Sequence, residues 1–143
     1  MARHKGFTVL PMKIFRFKKI VLLLALTTSF VFAKVHYAKD YASALAQAKN
    51  EDKKILLMLS KEECPACWWM KNNAFTNEEL AERLNENFVT VVVDVEKDEI
   101  PMNLDFMGTP TFYFLNSEQD QLSRIDGARN VSQMNKRIDF LLR

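Results

Sequence analysis

Residues 34–143 predict a single α/β domain in which a mixed β-sheet is flanked by helices, and three observations lead there. The run Lys54-Ile55-Leu56-Leu57-Met58-Leu59 is continuously apolar and short, as a parallel strand buried on both faces requires. Phe88 to Val95 is β-branched nearly throughout, which suits a pleated strand. Two further runs, Thr111 to Leu115 and Gln121 to Asp126, flank the polar turn Asn116 to Asp120 and read as an antiparallel hairpin. Stretches with apolar residues at helical spacing lie between and around these strands, so helices are available to cover the sheet.

The elements follow in order. Tyr41, Ala44, Leu45 and Ala48 share one side of a helix from about Asp40 to Asn50, and Glu51-Asp52-Lys53 breaks it before the first strand. That strand delivers Cys64 to the edge of the sheet. Pro65 then suits the first position of a helix, where its fixed φ is already helical and its missing N–H has no intrahelical partner. Thr76-Asn77-Glu78-Glu79 reads as a capping box, and Leu80 with Leu84 supplies the buried stripe of a second short helix or a kinked continuation. The strand from Phe88 is expected at the centre of the sheet. Gly108-Thr109-Pro110-Thr111 opens the aromatic run Phe112-Tyr113-Phe114-Leu115. A proline there donates nothing to a ladder, so it begins an edge strand or sits in a cis turn. Gly127 closes the last strand, and Asn130 caps a final helix in which Val131, Met134, Ile138, Leu141 and Leu142 share a face. The sequence contains no internal repeat, low-complexity tract or second domain.

Residues 1–33 read as a targeting segment outside this domain. Lys13, Arg16, Lys18 and Lys19 form a basic region, and the thirteen residues Ile20 to Phe32 form an apolar one. Val31-Phe32-Ala33 then offers a cleavage site. The apolar stretch falls short of the ~20 residues that span a bilayer, which favours a cleaved signal peptide over a membrane anchor facing the same compartment. Met12 opens a complete signal by itself, so residues 1–11 are an over-extended start or a long basic region.

Six of the 20 Lys+Arg and none of the 18 Asp+Glu lie in residues 1–33, leaving 14 against 18, a net charge of −4, on the remaining 110 residues. A mildly acidic domain without a basic cluster has no footprint for nucleic acid. Export places the chain in the periplasm or its equivalent, where disulfides persist. The expected form is a monomer without stable membrane insertion.

The chemistry concentrates at Glu63-Cys64-Pro65-Ala66-Cys67-Trp68, which holds both cysteines of the chain. Thiols three positions apart can close a disulfide within one helical turn. At a helix N-terminus the free N–H groups and the dipole favour the thiolate of the first, the form that attacks disulfides. Cys64 is then the attacking sulfur and Cys67 the resolving one. Glu62 and Glu63 oppose the helix terminus by disfavouring a nearby thiolate, so the residues leave the direction of electron flow open. Trp68 and Trp69 are adjacent on the helix and point differently. At most one is core, and the other is exposed near the cysteines as a docking surface or lid.

The CxxC followed at a distance by Thr109-Pro110 resembles the thioredoxin superfamily from about Tyr37 to Leu142, in the order strand, CxxC, helix, strand, Thr-Pro, strand, strand, helix. The resemblance implies a thioredoxin-like fold, a redox-active Cys64–Cys67 disulfide and a cis-proline loop at Thr109 and Pro110 that presents backbone groups to a substrate. The chain departs from thioredoxin proper in carrying Glu63 before the first cysteine, Pro65-Ala66 between the pair, and Met58 where a buried aspartate serves as proton acceptor. Asn73 to Thr76 and Leu84 to Val89 resemble thioredoxin-like proteins of the bacterial envelope, including the C-terminal domain of the DsbD electron transporter and the SoxW-type group. These imply a dithiol reducing protein disulfides, with protein thiols and disulfides as partners and a membrane protein as electron donor. Thr109 resembles the disulfide isomerases, but no dimerisation domain accompanies it.

Other chemistries fit less well, and no cofactor or metal is expected. A structural staple over so short a loop stabilises by about 2 kcal/mol or less. Zinc takes four ligands, whereas the chain has two cysteines and a distant His36. Haem attachment needs a histidine where Trp68 stands. Met58, Met70, Met102, Met107 and Met134 suit core filling better than Cu(I) binding. The competing class is a thioredoxin-fold binding module, a chaperone or copper-delivery protein, without redox turnover.

Overall fold

The computed structural model describes residues 33–143, so all but Ala33 of the expected targeting segment lies outside the described residues. The elements run α1 (Tyr41–Glu51), β1 (Lys54–Ser60), α2 (Pro65–Asn72), α3 (Glu78–Asn87), β2 (Phe88–Asp94), β3 (Thr111–Leu115), β4 (Gln121–Asp126) and α4 (Val131–Leu141). The four strands lie in the order β2-β1-β3-β4. β1 pairs with β2 in parallel and with β3 antiparallel, and β3 and β4 form the hairpin. The result is a thioredoxin-like α/β fold.

The alternation of each strand sorts the core into two layers. Ile55, Leu57, Leu59, Val89, Val91, Val93, Tyr113 and Leu115 face α1, whose Ala44 and Ala48 are fully buried. Alanines four apart lie on one side of a helix and let its backbone approach the sheet closely. Leu56, Met58, Phe112, Phe114 and Ile125 face the opposite way, toward Met70 of α2, Leu80 and Leu84 of α3, and Met134 and Ile138 of α4. Edge-to-face pairs lock this layer, with Phe75 against Phe112 at 6.1 Å and Phe88 against Phe114 at 5.6 Å. Both cysteines belong to it.

Three expectations are corrected. The strand beginning at Phe88 is an outer strand, and β1 occupies the interior. Its unbroken apolar character reports burial of both faces, which is independent of whether both edges are paired. Among the described residues, the outer edge of β2 is met locally, through a bridge between Tyr37 and Thr90 and the Ala38 N–H donated to the Thr90 carbonyl at 2.8 Å. Second, the cap of α3 is Asn77, whose Oδ1 accepts from the Leu80 N–H at 3.0 Å, and not Thr76. Thr76 ends a short 3₁₀ turn, where its hydroxyl donates back to the carbonyls of Asn72 and Asn73. α2 and α3 are therefore separate helices. Of the two readings of Pro110, an edge strand or a cis turn, the structure has the second. The Thr109–Pro110 bond is cis, and β3 lies between β1 and β4, its ladder starting at Thr111. Finally, Leu142 lies past the end of α4 and is exposed, so it leaves the face shared by Met134 and Ile138.

The remaining boundaries agree with the sequence pattern. Asp40 caps α1 through the Ser43 N–H at 2.7 Å. Asn116 Oδ1 accepts from the Glu118 and Asp120 N–H groups and shapes the hairpin turn. Gly127, at φ 83°, turns the chain out of β4 where an L side chain would be strained. Asn130 and Gln133 exchange hydrogen bonds at the start of α4.

Candidate functional site

β1 ends at Ser60, and three exposed residues, Lys61 to Glu63, carry the chain to Cys64. Cys64 has extended backbone and is the N-cap of α2, with Pro65 at the first helical position. The Cys67 N–H donates to Cys64 Sγ at 3.1 Å. A sulfur thus occupies the place of the usual capping oxygen, at the end of the helix where unpaired N–H groups concentrate positive potential. Cys64 and Cys67 are joined by a disulfide. Cys64 retains 7% of its surface and Cys67 only 1%, so an external thiolate or disulfide reaches Cys64 first.

The expected substrate loop faces the pair. The carbonyl oxygen of Thr109 lies 3.5 Å from Cys64 Sγ. Thr109 is half-buried and Pro110 buried. The loop after β4 braces this arrangement, since Gly127 donates its N–H to the Pro110 carbonyl at 2.8 Å and Arg129 donates its N–H to Met70 Sδ at 3.3 Å.

Beside Cys64 a shallow cleft of about 310 Å³ is lined by Glu62, Glu63, Cys64, Pro65 and Trp68. Glu62, Glu63, Cys64 and Trp68 thus border one cleft, and Thr109 lies against Cys64 Sγ. Neither tryptophan is core, Trp68 being 62% exposed and Trp69 39%. Glu62 forms a surface ion pair with Lys97, and that contact raises the Lys97 pKa above the usual lysine value. Glu63 has no such ion pair among the described residues.

Met58 is fully buried in the layer that holds Cys67. No carboxylate is buried among the described residues, so no internal base stands ready to take the Cys67 proton. Met70 and Met134 are equally buried, while Met102 and Met107 are exposed. The three buried thioethers belong to packing and cannot join the two exposed ones at the surface.

Several supporting residues were not found from the sequence. Tyr113 donates to both the carbonyl oxygen and Oδ1 of Asp105, at 2.6 and 2.9 Å. Arg124 pairs with Asp105 and Asp126 and lies over the Tyr113 ring at 5.4 Å. The Thr111 hydroxyl donates to the Gly108 carbonyl at 2.8 Å. Together these pin the loop that leads into Thr109. Met107, 94% exposed two residues before Thr109, had one available signal, its position beside the Gly-Thr-Pro stretch.

The family profile described as thioredoxin-like matches residues 36–117. Among solved structures, the chain is similar to a thioredoxin from Thermus thermophilus, with 24% identity, a TM-score of 0.63, and 77% of this chain and 88% of that one covered. It is similar to DsbH oxidoreductase at 22% identity and TM-score 0.65, over 81% and 90% of the two chains. A putative disulphide-isomerase from Bacteroides thetaiotaomicron gives 22%, 0.67, and 78% and 96%. These likenesses establish the fold. The rat spermatogenesis-associated protein 20 is 44% identical over 54 residues, which make up 38% of this chain and only 7% of that protein's length.

Proposed function

The chain belongs to the thioredoxin-like family, and from that premise we propose that it is a thiol–disulfide oxidoreductase of the bacterial envelope that reduces protein disulfides through Cys64 and Cys67. One observation carries the reading: Cys64 is the N-cap of α2, its sulfur holds the Cys67 N–H, and the Thr109 carbonyl lies beside it. That places the more exposed thiol where a thiolate is stabilised and where an extended substrate segment has a backbone group to pair with.

In the reduced enzyme the Cys64 thiolate attacks one sulfur of a substrate disulfide. A bond forms between Cys64 and that sulfur, and the other leaves as a thiolate that takes up a proton. Cys67 then loses its proton and attacks Cys64 Sγ, restoring the Cys64–Cys67 bond and releasing the second substrate thiol. Two electrons pass from the dithiol to the substrate. A dithiol donor, proposed to be membrane-bound as for the DsbD-like and SoxW-like proteins the sequence resembles, must return them. Because Met58 replaces an internal base, the Cys67 proton leaves to water or to the departing thiolate. The oxidoreductase and isomerase named among the structural neighbours support the same class.

The test is turnover with a model protein disulfide, together with the reduction potential of the pair in thiol redox buffers. A potential near the thioredoxin value of about −270 mV supports reduction, whereas one near −120 mV overturns that direction. No exchange by the reduced protein sinks the enzyme reading. Cell fractionation tests the envelope location, which a cytoplasmic pool of full-length chain contradicts.

A further inference from the structure

The cleft beside Cys64 is charged and aromatic in a way that electron exchange alone does not require. It is lined by Glu62, Glu63, Pro65 and the exposed Trp68 together with Cys64 itself. Lys97 already pairs with Glu62, leaving Glu63 as the carboxylate without an ion-pair partner among the described residues. The surroundings reinforce the sign. The Val95 N–H donates to the Ser60 carbonyl at 2.9 Å, which brings the segment Asp94, Glu96, Asp98 and Glu99 alongside the start of the Cys64 turn.

Resting on the oxidoreductase reading, we propose that the substrate segment carries a lysine or arginine next to its reactive cysteine, and that Glu63 and Trp68 select it. A guanidinium or ammonium in this cleft gains a carboxylate on one side and the negative face of an indole on the other. An acidic substrate meets repulsion from the same groups.

The pairing also affects the chemistry. A free carboxylate beside Cys64 disfavours its thiolate, and a substrate cation that neutralises Glu63 removes that penalty as the substrate docks. The cation further stabilises the thiolate leaving the substrate. Glu63 is thus a specificity-determining residue whose cost to the nucleophile is lifted by the correct substrate.

The experiment uses the prereduced protein and three peptides of one sequence, each holding a single cysteine in a mixed disulfide with a chromogenic thiol and flanked by Arg, Gln or Glu. The expected order of second-order rate constants is Arg, Gln, Glu, with about tenfold between the extremes at low salt, equivalent to 1.4 kcal/mol. That ratio should shrink as salt screens the exposed charges. Within each variant the ratio between peptides is read, so a general loss of activity does not mimic the effect. Glu63→Gln should reduce the Arg-to-Glu ratio, Glu63→Lys should invert it, and Trp68→Leu should reduce the Arg-to-Gln ratio. Equal rates for the three peptides with an active protein overturn this inference and leave the oxidoreductase reading intact. No reduction of any peptide overturns both.

Discussion

Cys64 and Cys67 are distinguished by only a few percent of exposed surface, yet that difference assigns their roles. Cys67→Ser should accumulate mixed disulfides with substrate proteins that dithiothreitol releases, and Cys64→Ser should accumulate none. Trapping through Cys67 in the latter reverses the assignment. Both cysteines and Pro110 were legible because their chemistry is local: a spacing, and a ring that cannot donate. Asp105, Tyr113 and Arg124 were not legible, because their contacts join positions 8 and 19 residues apart with no motif to announce them. Tyr113 supplies a titration test. Burial, then the Asp105 hydrogen bond, pushes its phenol up to about 12. Unfolded tyrosine ionises near 10, so between about pH 10 and 12 the folded state keeps a proton that the unfolded chain has released. Stability is constant below that window and falls as pH rises through it. Burial also pushes the Tyr37 phenol up to about 12, so alkaline unfolding of Tyr113→Phe should show a shallower slope and not a flat one, and an unchanged profile would show that the Tyr113 phenol does not contribute.

At the scale of elements, short-range signals located the ends of strands and helices, whereas sheet position depends on partners far along the chain. β2 illustrates the limit. Val89, Val91 and Val93 face α1 while Phe88 and Thr90 point to the other layer, and nothing in that pattern says that one edge lacks a neighbour. Thr76 and Asn77 show a finer ambiguity, two adjacent residues each able to cap, resolved by which one has extended backbone. The Thr90 hydroxyl is buried without a hydrogen-bond partner among the described residues. An unsatisfied buried polar group costs about 1–3 kcal/mol. Thr90→Val keeps the branched shape and should raise the unfolding free energy by ~1 kcal/mol or more, read as a higher midpoint in urea with an unchanged slope. Asn130→Ala should act in the opposite sense. It removes a cap from α4, at a cost of about 1 kcal/mol by the same measurement.

For the whole molecule, the net charge of −4 conceals a separation. Carboxylates gather beside the C-terminal ends of β1 and β2, while Arg129, Lys136 and Arg137 join the ion-paired Arg124 and Asp126 in lining a cavity of about 360 Å³ between β4 and α4. Since β2 and β4 are the two outer strands, the signs lie toward opposite edges of the sheet, with Cys64 at the acidic side. Such a field orients a charged partner before contact. Composition alone could not reveal this, because the segments that carry the two signs take their places only once the strand order is known. The first described residues are tied to α3. Asn85 accepts the His36 N–H at 2.9 Å and donates to the Lys34 carbonyl at 2.7 Å, and Val35 between them is buried. Asn85→Ala should accelerate amide hydrogen exchange across residues 35–38 and leave β3 protected. Uniform acceleration throughout the sheet would mean that the contact supports the whole fold.

That clamp bears on the proposed removal of residues 1–33. Ala33 packs against the apolar layer and Val35 lies within it, so the peptide bond between Ala33 and Lys34 is one residue from the folded core. A protease needs several residues of pliable, extended chain around the bond it cuts, and here the residues that follow the bond are docked in the completed fold. If the leader ends at Ala33, cutting and docking compete for the same few residues, and the cut must come while this segment is still undocked. Slackening the clamp with Asn85→Ala should therefore raise the ratio of processed to unprocessed chain in a pulse-chase experiment. A fall in that ratio would place the cut elsewhere.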